Sequence, residues 1–238
     1  MKIDERKLVD LDHAHLQGAD FSGQKLLKFS AVGCRLQACR FDKSTIEDAS
    51  FGAGHETSEY VECSFEGARI RHIGSKRARF VRCSFRDVEI HEWFCLTGEL
   101  VDCVFSGRLH KAVFHGKVPD HERAQIGRET NEFHGNNFSA MKLIDVDFRG
   151  GIDLTQQRLP SGPEYLYVAD AAQAVERARA QVIVWADLEL RRSALVLIGI
   201  LEKDVAGGQR QLFLRPAGLH SALGRDAVDA VAALLQAS

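Results

Sequence analysis

A mainly β solenoid followed by a helical region is the fold class this sequence predicts, and three observations predict it. The first is a large apolar residue at nearly every fifth position from Leu11, through Leu16, Phe21, Leu26, Ala31, Leu36, Phe41, Ile46 and Phe51. After a slip of four residues it resumes at Tyr60, Phe65, Ile70, Ser75, Phe80, Phe85, Ile90, Cys95, Leu100 and Phe105. A period of five belongs neither to a helix nor to a simple strand. Regular repetition marks units that bury their apolar sides only by stacking on neighbours. The second observation is a restricted, usually small residue two positions earlier, as in Ala14, Ala19, Cys34, Cys39, Ser44, Ala49, Ser58, Cys63, Ala68, Ala78, Cys83 and Cys103. The third is the end of the pattern near Leu154, after which Ala, Val, Leu and Arg dominate.

Two inward residues at i and i−2, with polar residues at the other three positions, describe one short side of a coil. The segments Ala19-Asp20-Phe21, Cys39-Arg40-Phe41, Cys63-Ser64-Phe65, Cys83-Ser84-Phe85 and Cys103-Val104-Phe105 resemble the pentapeptide-repeat family over about residues 9–154. The resemblance implies a right-handed quadrilateral β-helix with four five-residue sides per coil. Four such sides predict a second period of twenty. Cys63, Cys83 and Cys103 obey it, as do Phe65, Phe85 and Phe105; Cys39 and Phe41 join once the slip is allowed for. These eight residues are the expected core ladder. Surface charge follows the same register. Arg35, Glu59, Arg79 and Glu99 alternate in sign down one column, and Glu62, Arg82 and Asp102 down another. With strands stacked ~4.8 Å apart, these columns become ladders of opposite charge. One side exchanges its sizes, in Phe29/Ala31, Ile73/Ser75 and Trp93/Cys95, as a close-packed interior tolerates.

The chain has 238 residues, 45% of them apolar, and a formal net charge of −2. Such a balance supplies no global field for nucleic acid or an acidic membrane. Residues 1–6 contain no hydrophobic run of the kind a secretory signal needs, and the apolar stretch 194–201 is too short to span a bilayer. A cytoplasmic protein is expected. The six cysteines sit at inward positions, and their spacings are not those of a zinc site. They are read as small core hydrophobes.

The repeat breaks twice, near 52–59 and across 106–131, where loops can vary without unpacking the core. Residues 112–114 of the second break still fit a coil side. The candidate partner-contacting residues are His55 and Glu56 in the first break, and His115, Asp120, His121, Glu122, Arg123 and Arg128 in the second. His121-Glu122 is not followed by the histidine a metalloprotease helix requires, so a polar, solvated loop is expected. The basic run Arg69, Arg71, Lys76, Arg77, Arg79, Arg82 and Arg86 is largely compensated by acids one coil away, with Arg69 over Glu89, Arg79 over Glu99 and Arg82 over Asp102.

In the tail, 155–238, Pro160-Ser161-Gly162-Pro163 reads as a turn or linker. Helices are expected over 170–185, 187–205 and 226–237, with 211–215 a strand or extended connector. The run 195–201 is too apolar to face water. The region is expected to cap the open end of the solenoid, to join two copies as a homodimer, or to do both.

No GxSxG, GxxxxGK[ST], GxGxxG or CxxC motif occurs. No catalytic residue, cofactor or metal is expected, and no direct contact with nucleic acid or membrane. The reading is a non-enzymatic scaffold for a protein partner. The alternative comes from resemblance to the quinolone-resistance subgroup of the family, through the two breaks, Arg71-His72 and Trp93-Phe94-Cys95. That likeness implies DNA-mimicking protection of a type II topoisomerase such as DNA gyrase.

Overall fold

Pairing each strand with residues about twenty positions further on builds the first part of the molecule, seen in a computed structural model that describes residues 7–237. Residues 1–6, read above as lacking a secretory signal, lie outside the described residues. Strands Lys7–Asp12, Lys25–Val32, Thr45–Ser50, Arg69–Gly74, Ser84–Cys95, Val104–His115 and Asn137–Arg149 stack in that order as one parallel sheet. Shorter strands, His15–Gln17, Arg35–Gln37, Ser58–Val61, Ala78–Val81, Glu99–Val101 and Phe133–His134, stack as a second. A column of bridges from Asp20 through Arg40 and Ser64 to Ser84 marks a further side. The result is a parallel β-solenoid.

The polar residues of each pentad sit at corners, where the backbone must turn without losing its hydrogen bonds. Gly18, Ala38, Glu62, Arg82, Asp102 and Gly135 form one such column, all left-handed with φ between 50° and 70°. Non-glycine residues are strained there. The strain is offset because each corner amide donates to the next coil, as Glu62 N does to Val81 O and Arg82 N to Val101 O, both at 2.9 Å.

Inside, Phe21, Phe41, Phe65, Phe85, Phe105 and Phe138 form a continuous stack. Ring centroids lie 4.8, 4.7, 4.6, 5.0 and 4.3 Å apart in sequence, so the strand spacing sets the ring spacing. Beside it, Cys39, Cys63, Cys83 and Cys103 are buried. All four thiols donate to carbonyls one coil back, Cys39 to Leu16, Cys63 to Leu36, Cys83 to Tyr60 and Cys103 to Phe80. Desolvation pushes the Cys83 thiol well up and that of buried Cys95 up to about 11, so both stay protonated and inert. The size-exchanged side has a polar reason as well as a steric one. The buried indole of Trp93 donates to Ser75 Oγ at 2.9 Å, which a larger apolar residue at 75 would leave unsatisfied.

Charge ladders follow the register. Arg35, Glu59, Arg79 and Glu99 are aligned partners, with Arg79 and Glu99 at 3.4 Å and Arg69 and Glu89 at 4.0 Å. Arg82 pairs with Glu62 at 3.1 Å, toward the preceding coil rather than toward Asp102.

The second interruption is shorter than the pattern suggests. Residues 106–115 continue the strand Val104–His115 instead of projecting as a loop. After Phe105 the register drops from twenty to nineteen, with Gly107 opposite Val88 and Leu109 opposite Ile90. Gly107, at φ 99°, absorbs the slip, and a Cβ there would lie 2.2 Å from Val88 O. This one-residue change of phase hides a coil side from a search at period five. The excursion itself contains a helix, α1 (Asp120–Ile126), ended by Gly127 at φ 75°.

The tail supplies α2 (Ala171–Val182), α3 (Leu188–Ala206), α4 (His220–Leu223) and α5 (Arg225–Gln236). Asp170 and Asp187 cap α2 and α3 through backbone amides of the first turn, as short acceptors at this position do. Strands Leu166–Val168 and Leu212–Leu214 pair antiparallel. Ala194, Leu197, Ile198 and Leu201 of α3 pack with apolar residues of α2 and α5 in a cluster separate from the solenoid core; Val196 and Ile200 face outward. Where the tail meets the last coil, Phe213 stacks on Tyr165 and lies edge-on to Phe148. Amides of Gly151 and Leu154 donate to the side chains of Gln209 and Gln211.

Candidate interaction surface

Both interruptions arise where extra residues must leave the coil without disturbing its stack. Between Arg35–Gln37 and Ser58–Val61 the register is 24 rather than twenty, since Arg35 faces Glu59. The added residues turn out at 52–57. Gly52 starts the turn against the neighbouring main chain, and a Cβ there would lie 2.2 Å from the carbonyl carbon of Arg77. His55 and Glu56 are exposed. Glu56 reaches back to His13 Nε2 at 3.2 Å, and Asp12 approaches the other ring nitrogen at 2.8 Å.

Hydrogen bonds to Glu56 first, then to Asp12, raise the His13 pKa above its ordinary 6.5. A raised folded-state value stabilises while the imidazole is charged. The tie is therefore complete below the ordinary histidine value and lost as pH rises through the raised one. Glu56→Gln is expected to return the His13 titration, followed by NMR, toward 6.5. An unchanged midpoint would contradict the contact.

The second excursion is held at its base by an antiparallel bridge between Lys117 and Thr130, with Val118 N donating to Glu129 O at 2.8 Å. Asn131 donates to the carbonyls of Leu96 and His115. Glu99, whose side chain is 7% exposed, meets Arg128 at 3.1 Å and Arg79 at 3.4 Å; it also accepts from the amide of Glu132. At the tip, Asp120 pairs with Arg123 at 2.8 Å, and His121 lies 3.6 Å from Glu122.

Of the eight residues singled out from the sequence, His55, Glu56, Asp120 and His121 stand on exposed parts of the excursions, and Glu122 and Arg123 are half-buried beside them. Two are turned elsewhere. His115 ends a strand, its ring nitrogen donating to the carbonyl of Lys117 at 2.8 Å. Arg128 is spent on Glu99, Thr97 O and Asn131. Sequence reasoning missed what joins the two breaks. Arg77, in the basic run, donates to His55 O in the first excursion and to Gln125 O and Oε1 in α1 at 3.3 and 3.2 Å. His55, Glu56 and α1 therefore form one composite ridge.

A separate cleft of about 630 Å³ lies along the long-strand sheet, lined by Arg71, His72, His91, Glu92, His110 and Lys111 among others. Its charges answer one another. His72 and Lys111 both meet Glu92, at 2.9 and 3.8 Å, and Arg71 pairs with Glu47. Burial, then the stacked ring of His91, lowers the pKa of His110.

No family model matches the sequence, and no curated protein matches it. Among solved structures the chain is similar to two trypsin-treated variants of QnrB1, a plasmid-mediated fluoroquinolone resistance protein. The first shares 11% identity over 65% of this chain and 79% of that one, with a TM-score of 0.22. The second shares 15% over 64% and 88%, with a TM-score of 0.20.

Proposed function

We propose that this protein is a non-enzymatic scaffold whose composite ridge, built from residues 52–57 and α1, contacts a protein partner. The supporting observation is the meeting of both interruptions on Arg77. Elsewhere the solenoid surface is largely charge-paired in register, so its polar groups are already satisfied by one another. The ridge presents the exposed side chains of His55, Glu56, Asp120 and His121 on a support tied to the coils. The contacts of Phe213, Tyr165, Gln209 and Gln211 with the last coil support a capping role for the tail.

Photo-crosslinking amino acids at His55 and His121, with a third at exposed Arg108 on the long-strand sheet, test the reading. A discrete adduct in cells of the source organism from the first two positions and not the third is the expected outcome. Adducts from Arg108 alone, or from none, would sink the proposal.

A second reading, protection of a type II topoisomerase, is favoured by the two excursions lying together. Among the described residues the aligned column Arg35, Glu59, Arg79 and Glu99 alternates in sign, so this reading also depends on the ridge. A gyrase supercoiling assay with a fluoroquinolone, using wild-type protein and a variant lacking 118–130, decides it. Protection by the wild type alone supports it; no protection removes it.

A further inference from the structure

We infer that Arg77 is the positioning residue that locks the two interruptions into one rigid surface, an inference that rests on the reading of that surface as the partner-contacting ridge. Arg77 is 7% exposed, yet among the described residues no carboxylate lies within 4.0 Å of it. A buried cation without an anion is costly, and a solenoid whose columns alternate in sign could readily have supplied one. The guanidinium is held instead by neutral acceptors from two segments about seventy residues apart. Nη1 donates to His55 O and to Gln125 O, and Nη2 to Gln125 Oε1.

The geometry suits a planar fork whose donors diverge from one stiff group. Gln125 lies in the last turn of α1, where backbone carbonyls have no partner within the helix. The main chain of Arg77 completes the junction from the other side. Its carbonyl accepts from Ser58 N at 2.8 Å, and the absent side chain of Gly52 lets the first turn lie against it. Among the described residues no other side chain hydrogen-bonds to both excursions. Without the guanidinium, each would keep only its own ties, the first through Glu56 to His13 and Ala53 N to Ala31 O, the second through the Lys117–Thr130 bridge, Glu99 and Asn131.

Hydrogen–deuterium exchange followed by mass spectrometry tests this on the full chain. Arg77→Met keeps the stem and removes every donor. It should speed exchange by roughly tenfold or more in segments 53–57 and 120–127 together, with Arg35–Gln37 and Glu99–Val101 unchanged. Arg77→Lys, with a single ammonium, should preserve at most one of the two segments. Gln125→Ala removes Oε1 but keeps the backbone acceptor, so it should speed exchange over 120–127 by less than Arg77→Met does and leave 53–57 as in the wild type. Wild-type exchange in both segments of Arg77→Met overturns the inference. If that variant does not fold, unchanged exchange over 120–127 in Gln125→Ala overturns it instead. Coupled exchange without ridge crosslinks would leave the clamp standing and remove the partner reading, so the two failures are distinguishable.

Discussion

Alanine in place of Phe85 is expected to lower the unfolding free energy by about 3–5 kcal/mol. The ring is fully buried, stacked 4.6 Å from Phe65 and 5.0 Å from Phe105, and braced by Phe80 and Trp93 at 5.6 and 5.4 Å. Each coil is fixed to its neighbours by backbone ladders on several sides, so they cannot close over the void, and the cost falls at the high end of the range for a lost aromatic. Phe21, in the first coil and only half-buried, should cost markedly less on the same change. Denaturant unfolding of both variants measures the difference. Equal losses, or a loss under about 1 kcal/mol for Phe85→Ala, would contradict a continuous stack as the main source of cohesion.

Removal of the Glu99 carboxylate should be comparably severe, at about 3–5 kcal/mol for Glu99→Ala. The cost comes less from the lost attraction than from what remains. Arg79 and Arg128 would be left half-buried, and the Glu132 amide would lose its acceptor. Arg79 keeps a second partner in Glu132; Arg128 has no other carboxylate among the described residues. The damage should therefore concentrate in the return of the second excursion. Limited proteolysis is expected to cut Glu99→Ala within 116–131 before the coils unfold. Global unfolding with no early cut there would argue that Glu99 serves the stack and not the excursion.

The repeat and its faces were legible because burial in a solenoid is periodic. The large residue, the small one before it, and the charge columns all recur with the coil, so Phe65, Cys83 and Arg79 could be placed from spacing alone. Helix starts at Asp170 and Asp187 were readable for a local reason, since a short acceptor before an apolar run satisfies the first turn. Three features were not legible. The coil side at 106–115, of which only 112–114 fitted the pattern, is out of phase by one residue, and Gly107 absorbs the difference. Helix α1 is seven residues long, too short for an apolar period to show. Arg77 resembles its neighbours in the basic run, and only the folded register reveals that it faces carbonyls from two loops instead of an acid one coil away. A clue existed in its position, because Arg77 immediately precedes Ala78, the residue one coil on from Ser58, where the first excursion rejoins the coil.

If binding resides in the ridge, the regular faces serve only as support. With the partner captured by the His55 and His121 crosslinks, surface plasmon resonance on two block variants tests it most directly. One replaces His55, Glu56, Asp120 and His121 by alanine; the other replaces Glu62, Arg82 and Arg108. The expected result is a loss of roughly 100-fold or more in affinity for the ridge block and wild-type affinity for the second. Wild-type affinity of the ridge block, with binding lost in the other, would contradict it.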